Sequence, residues 1–99
     1  MIRTVTIKDA AKSDLDALYD YTDERWGRAQ ARVYFEALGQ TLQLLSGNPD
    51  IGREWTGLSP PARLHRFRSH MVIYRANDAS LDVLRIVHAR SNWQALLSD

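Results

Sequence analysis

The sequence predicts a small α+β domain of β-α-α-β-β-β order, with a helical hairpin packed on one face of a mostly antiparallel sheet. Three observations carry that prediction. A short alternating run opens the chain, two stretches of helical periodicity follow with Gly27 between them, and three alternating runs fill the second half. With 99 residues and no Cys, the chain reads as one domain, residues 1–99. A chain of this size hides roughly 65% of its unfolded surface and needs no disulfide.

Residues 3–8 alternate, with Val5 and Ile7 on one face and Thr4 and Thr6 on the other, which predicts a strand. Asp9 stands where an N-cap belongs. Ala11, Leu15, Leu18, Thr22 and Trp26 then recur at steps of three and four, while Asp14, Asp16, Asp20, Asp23 and Glu24 lie largely off that stripe. This is an amphipathic helix with an acidic outer surface, stopped by Gly27. Ala31, Phe35, Leu38, Leu42 and Leu45 mark a second helix, ended by Gly47-Asn48-Pro49, and the two form an antiparallel hairpin. Residues 47–62 hold three Gly and all three Pro, so an extended connection is expected there.

Strands are predicted over 63–68, 70–76 and 81–89, with turn chemistry at Asn77-Asp78-Ala79-Ser80. Both faces of the last two are apolar. Met71 and Ile73 oppose Val72 and Tyr74, while Leu81, Val83 and Val87 oppose Leu84 and Ile86. Two helices cover only one face of a sheet. A partner chain is expected on the other, with the C-terminal tail (Trp93, Leu96, Leu97) as the alternative. Trp26 and Trp55 are expected as lids on the core, and Trp93 as either a packing residue or a partner contact.

The net charge of +1 excludes a binder held to nucleic acid by bulk charge. The charge is nevertheless divided. Residues 1–50 carry six Lys/Arg against eight Asp/Glu, and residues 51–99 carry seven against four. No acid falls between Trp55 and Asn77, where Arg63, His65, Arg66, Arg68, His70 and Arg75 lie. Arginine suits bidentate contact with carboxylate or phosphate, although a cationic strand edge also discourages aggregation. Arg85 interrupts an apolar strand, and its charge requires an acid from the hairpin if it is buried.

His65, His70 and His88 show no metal spacing, no G-x-S-x-G motif is present, and no glycine-rich loop cradles a phosphate. Neither metal nor cofactor is expected. The longest apolar run, Met71 to Tyr74, is too short for a membrane span, and the first residues lack a secretory pattern, so a cytoplasmic location is expected. Metal-free RNA cleavage is the one chemistry the Arg/His strands could support, from His70, His88, Arg66, Arg68, Arg75, Arg85 and Arg90.

One resemblance spans almost the whole chain. Asp14-Leu15, Tyr19, Tyr21-Thr22, Arg25-Trp26-Gly27, Gln30-Ala31, Tyr34 and Leu38, then Pro49, Gly52-Arg53, His70, Tyr74-Arg75 and Val83 to Arg90 resemble ParE-type toxins. These belong to the RelE/ParE superfamily of type II toxin–antitoxin systems. The resemblance implies the same β-α-α-β-β-β fold and a ParD-like antitoxin that wraps the toxin. It also implies DNA gyrase as target, with operator DNA met only through the antitoxin. On that reading Arg66, Arg68, His70, Arg75, His88, Arg90 and Trp93 meet the target, and Val72, Tyr74, Leu84 and Ile86 hold the antitoxin. No catalytic residue is carried over. The related ribosome-dependent mRNA interferases are the alternative, yet they are generally far more basic, and here no Tyr follows Tyr74 and no Lys follows Lys12. A non-toxic chain serving in an antitoxin-bound repressor is a further alternative.

Overall fold

In a computed structural model, which describes residues 2–97, the alternating and periodic runs become nine elements. They are β1 (Thr4–Ile7), α1 (Asp9–Trp26), α2 (Arg28–Gly47), a 3-10 turn (Pro49–Ile51), β2 (Arg53–Trp55), β3 (Ala62–Phe67), β4 (His70–Ala76), β5 (Ser80–His88) and α3 (Trp93–Leu97). The strands form one sheet in the order β1-β5-β4-β3-β2, with β1 parallel to β5 and the other pairs antiparallel. The expected α+β order stands. β2 is an addition inside the Gly/Pro-rich connection, and its three residues are too few for alternation to show.

Lys8, not Asp9, occupies the N-cap of α1, and it makes no side-chain capping bond. Asp9 instead lies in the first turn, where its charge faces the positive end of the helix dipole. Gly27 joins the helices at φ 90 and ψ 164, a conformation that favours glycine. Its N–H donates to the Asp23 carbonyl at 2.9 Å, and its carbonyl accepts from the Ala31 N–H at 3.0 Å. One residue thereby closes one helix and opens the next.

The hairpin and the sheet enclose the larger core, built from Ala11, Leu18, Leu38, Leu42, Leu45, Phe67, Val72, Tyr74, Leu81, Val83 and Ile86. Each large apolar side chain buried there contributes about 2 kcal/mol by leaving water. The opposite face carries a second cluster of Ala62, Leu64, Ile73, Val87 and Trp93, with Trp55, Leu58, Met71, Leu84 and Leu97 against it. The chain's own tail and connection therefore cover the face for which a partner was expected. Trp93 is only 5% exposed, and its ring meets Trp55 edge-on at 5.1 Å.

Simple alternation misplaced the β5 side chains because the strand contains a bulge. Arg85 pairs with Ile73 and Val83 with Tyr74, so Leu84 is left without a cross-strand partner. One extra residue exchanges the faces of everything beyond it. Leu81, Val83 and Ile86 consequently share the hairpin side, while Leu84 and Val87 share the tail side.

Tyr74 ties the sheet to the connection. Its hydroxyl donates to the Pro49 carbonyl at 2.6 Å and accepts from the Gly52 N–H at 2.9 Å. A Cβ on Gly52 would lie 2.4 Å from that oxygen, so the close approach requires glycine. Burial pushes the Tyr74 phenol above its ordinary pKa.

Candidate partner-binding groove and cationic end

β1 accompanies β5 only from Ser80 to Val83 and then turns into α1. Beyond Val83 the Asp14 carboxylate of α1 takes over the edge. It accepts from Arg85 Nε at 2.7 Å, Arg85 Nη2 at 2.9 Å and the Ile86 N–H at 2.9 Å. The Arg85 and Asp14 side chains are 22% and 15% exposed, so each charge requires the other. The acid expected for Arg85 is thus present on the hairpin. Hydrogen bonding to Asp14 raises the Arg85 pKa and outweighs the opposing effect of burial.

Between α1 and this end of β5 lies a groove of about 760 Å³. Leu18, Tyr21, Trp26, Ile86, Val87 and Leu96 supply apolar wall, and Tyr34, His70, His88, Ser69 and Ser91 supply polar groups at one end. Trp26 is 62% exposed and Leu96 59%. Trp26 is therefore groove wall and not the core lid expected from its place on the helical stripe. The Arg25 guanidinium lies 5.4 Å from its ring centre.

His70 and His88 face each other across β4 and β5, ring centres 5.4 Å apart and edge to face. Tyr34 Oη lies 2.9 Å from His70 Nδ1, and the Arg90 N–H donates to His88 Nδ1 at 3.1 Å. Burial raises the Tyr34 pKa. The Tyr34–His70 hydrogen bond runs either way with the His70 tautomer, whereas the Arg90 N–H on Nδ1 turns the N–H of His88 to Nε2. Burial, and secondly the neighbouring His88, hold the His70 pKa below its ordinary value.

The two-residue turn between β3 and β4 places Arg68 at φ 53, a left-handed conformation that costs a non-glycine residue about 1 kcal/mol. Its guanidinium lies 5.2 Å from the Tyr34 ring centre and 5.3 Å from that of Phe67. Arg66 Nε donates to the Arg68 carbonyl across the same turn.

The residues expected to meet a target thus divide. Arg66, Arg68, His70, His88 and Arg90 gather at one end of the sheet. Arg75 lies five residues along β4, about 17 Å away, and donates to the Pro60 carbonyl at 3.1 and 2.6 Å. Trp93 is core. Of the residues expected to hold an antitoxin, Val72, Tyr74 and Ile86 lie at 0%, 0% and 3% exposure beneath the hairpin, and Leu84 lies half-buried beneath the tail. Val72, Tyr74 and Leu84 are thereby corrected to the chain's own packing, because the bulge and α3 cover that sheet face among the described residues, whereas Ile86 packs beneath the hairpin and also lines the groove.

Tyr34, Arg25 and Asp14 were not singled out as site residues. Besides the family resemblance, which includes all three, their sequence signal is a polar-tipped or charged side chain bordering an apolar stripe. Among the described residues no three His, Asp or Glu side chains converge to hold a metal, and no helix is long and apolar enough to cross a membrane.

Residues 5–93 match the family model described as the ParE toxin of type II toxin-antitoxin system, parDE. Toxin ParE1 of Caulobacter vibrioides is 32% identical over 87 residues, covering 88% of this chain and 90% of that protein. Toxin ParE1 of Mycobacterium tuberculosis is 33% identical over 85 residues, covering 85% and 87%. Among solved structures, the chromosomal ParDE TA system from P. aeruginosa matches with a TM-score of 0.71 at 22% identity, covering 88% of this chain and 96% of that one. That likeness shows a shared fold. With these matches over most of its length, the chain belongs to the ParE toxins of type II toxin–antitoxin systems.

Proposed function

We propose that this chain acts in the cytoplasm by binding and inhibiting DNA gyrase, and that a ParD-like antitoxin neutralises it. Family membership supports the class of activity, and one observation supports the surface. Arg68 and Arg90 meet no carboxylate among the described residues, and they stand beside the His70–His88 pair at one end of the sheet. Cations without an internal carboxylate suit an anionic or acidic surface on a target. The antitoxin covers the groove beside them, and operator DNA is met only through it.

The test is plasmid supercoiling by purified gyrase, read for both supercoiling and trapped cleaved DNA. Inhibition by the chain is expected, relieved by a ParD-type antitoxin. Changing Arg66, Arg68 and Arg90 together to Ala is expected to weaken inhibition about tenfold or more with the fold intact by circular dichroism. Inhibition unchanged in the folded triple variant would refute the surface. No effect of the wild-type chain at large molar excess would move the target to the ribosome, or leave the chain an inert member of a repressor complex.

A further inference from the structure

We infer that the His70–His88 pair seats a carboxylate of the antitoxin segment that fills the α1–β5 groove, and that seating it takes up a proton. The inference rests on the proposed neutralisation by an antitoxin and adds what the groove selects. Tyr34 and the Arg90 N–H occupy the two Nδ1 atoms, so both rings turn Nε2 outward, and no partner meets either Nε2 among the described residues. The charged and titratable groups around them are Arg25 from α1, Tyr34 from α2, Arg68 from the β3–β4 turn, Arg85 from β5 and Arg90 from the segment after it. The one carboxylate lining the groove, Asp14, is committed to Arg85 and the Ile86 N–H. Two imidazoles among cations, with no free acid, lack an anion.

The walls decide which anion. Leu18, Ile86 and Leu96, with the exposed ring of Trp26, suit an amphipathic peptide better than a phosphate backbone. Asp14 already takes the Ile86 N–H, where an added strand would place a carbonyl. The occupant therefore docks through side chains, as an amphipathic helix with one acidic residue at the His end.

Proton uptake follows from charge. In the free chain burial, and secondly the neighbouring His88, disfavour a positive charge on His70. A carboxylate laid against the pair reverses that balance at His70, which then carries Nε2–H toward the carboxylate and Nδ1–H toward the Tyr34 hydroxyl oxygen, while His88 Nδ1 keeps the Arg90 N–H. Affinity then rises as the pH falls through the histidine range.

The experiment is titration calorimetry of the intact chain with a ParD-type antitoxin that rescues growth of cells expressing it, between about pH 6 and pH 8, in two buffers of different ionisation heat. We expect affinity about fivefold or more higher at the acid end, with proton uptake seen as a buffer-dependent heat. His70→Gln should remove both effects, with the fold intact by circular dichroism. One Asp→Asn or Glu→Gln change in the antitoxin should remove the same dependence and add nothing to His70→Gln. Trp26→Ala should weaken binding at every pH while keeping the slope.

Affinity independent of pH, or a slope that survives His70→Gln, would overturn the inference and leave the neutralisation standing. Failure of every ParD-type antitoxin to bind or rescue would bring down both. A duplex DNA oligonucleotide that bound with the same His70-dependent slope would overturn the peptide and assign the pair to phosphate.

Discussion

The two ends of the sheet use arginine in opposite ways. At the Ala76 end of β4, Arg63 donates to the Gly52 carbonyl at 2.7 Å and pairs with Asp50, while Arg75 donates to the Pro60 carbonyl. Arg3 donates to the Asn77 and Ser46 carbonyls nearby. A depression of about 940 Å³ at this end is lined by Arg3, Asp78 and residues 47–51, and its arginine is already committed. At the His70 end, Arg68 and Arg25 lie over aromatic rings, and neither meets a carboxylate among the described residues. The lesson concerns carbonyls. A chain with a long glycine- and proline-rich connection exposes many backbone acceptors, and nearby arginines become its staples. At the tight β3–β4 turn Arg66 takes the Arg68 carbonyl, and Arg68 itself stays available for a partner.

The largest expected effect tests the lock between the ends. Asp14→Ala should cost about 3 kcal/mol, because it leaves the Arg85 charge and the Ile86 N–H unpaired in a half-closed site. Urea denaturation measures it, and a loss below about 1 kcal/mol would show the lock to be ornamental.

The contrast itself is broken or kept by two double variants. Arg63→Ala with Arg75→Ala should lower stability by about 2 kcal/mol and leave gyrase inhibition unchanged wherever the protein is folded. Arg68→Ala with Arg90→Ala should do the reverse. Equal effects on inhibition from both pairs would abolish the distinction.

Tyr74→Phe should cost about 1–2 kcal/mol, since the Gly52 N–H loses its acceptor and the Pro49 carbonyl its donor. Thermal unfolding would show a lower midpoint with inhibition retained below it. A smaller and opposite change is expected at the other end. Arg68→Gly relieves a left-handed backbone and should gain up to about 1 kcal/mol, reduced by the lost contact with Tyr34, while inhibition weakens. Unchanged inhibition would mean that the strained turn serves the fold and not the surface.

The smallest effect is a pH slope in stability. The folded chain holds the His70 pKa below the ordinary value of about 6.5. The unfolded chain therefore binds that proton more readily, so stability falls as pH falls through this range and levels off below the folded-state value. His70→Gln should flatten the slope in urea titrations at successive pH values. A slope of opposite sign would place a favourable charge partner beside His70 in the folded chain.

Local pattern made much of this molecule legible from its residues. Steps of three and four give a helix an apolar stripe, alternation gives a strand two faces, and Gly27 adopts a backbone few residues share, so the two hairpin helices and four of the five strands could be read directly, while the short α3 could not. The need of Arg85 for an acid was legible too, because a charge within an apolar strand must be answered. What lay beyond reach depends on groups far apart in the chain. The bulge at Leu84 is one unpaired residue, visible only against β4, and it moves Ile86 to the hairpin side. Trp26 and Trp93 are chemically alike, yet one lines a groove and the other fills a core, because burial is decided by what folds back over a residue. The arginines differ for the same reason: each is a staple or a free cation according to whether a distant carbonyl or carboxylate lies within its reach.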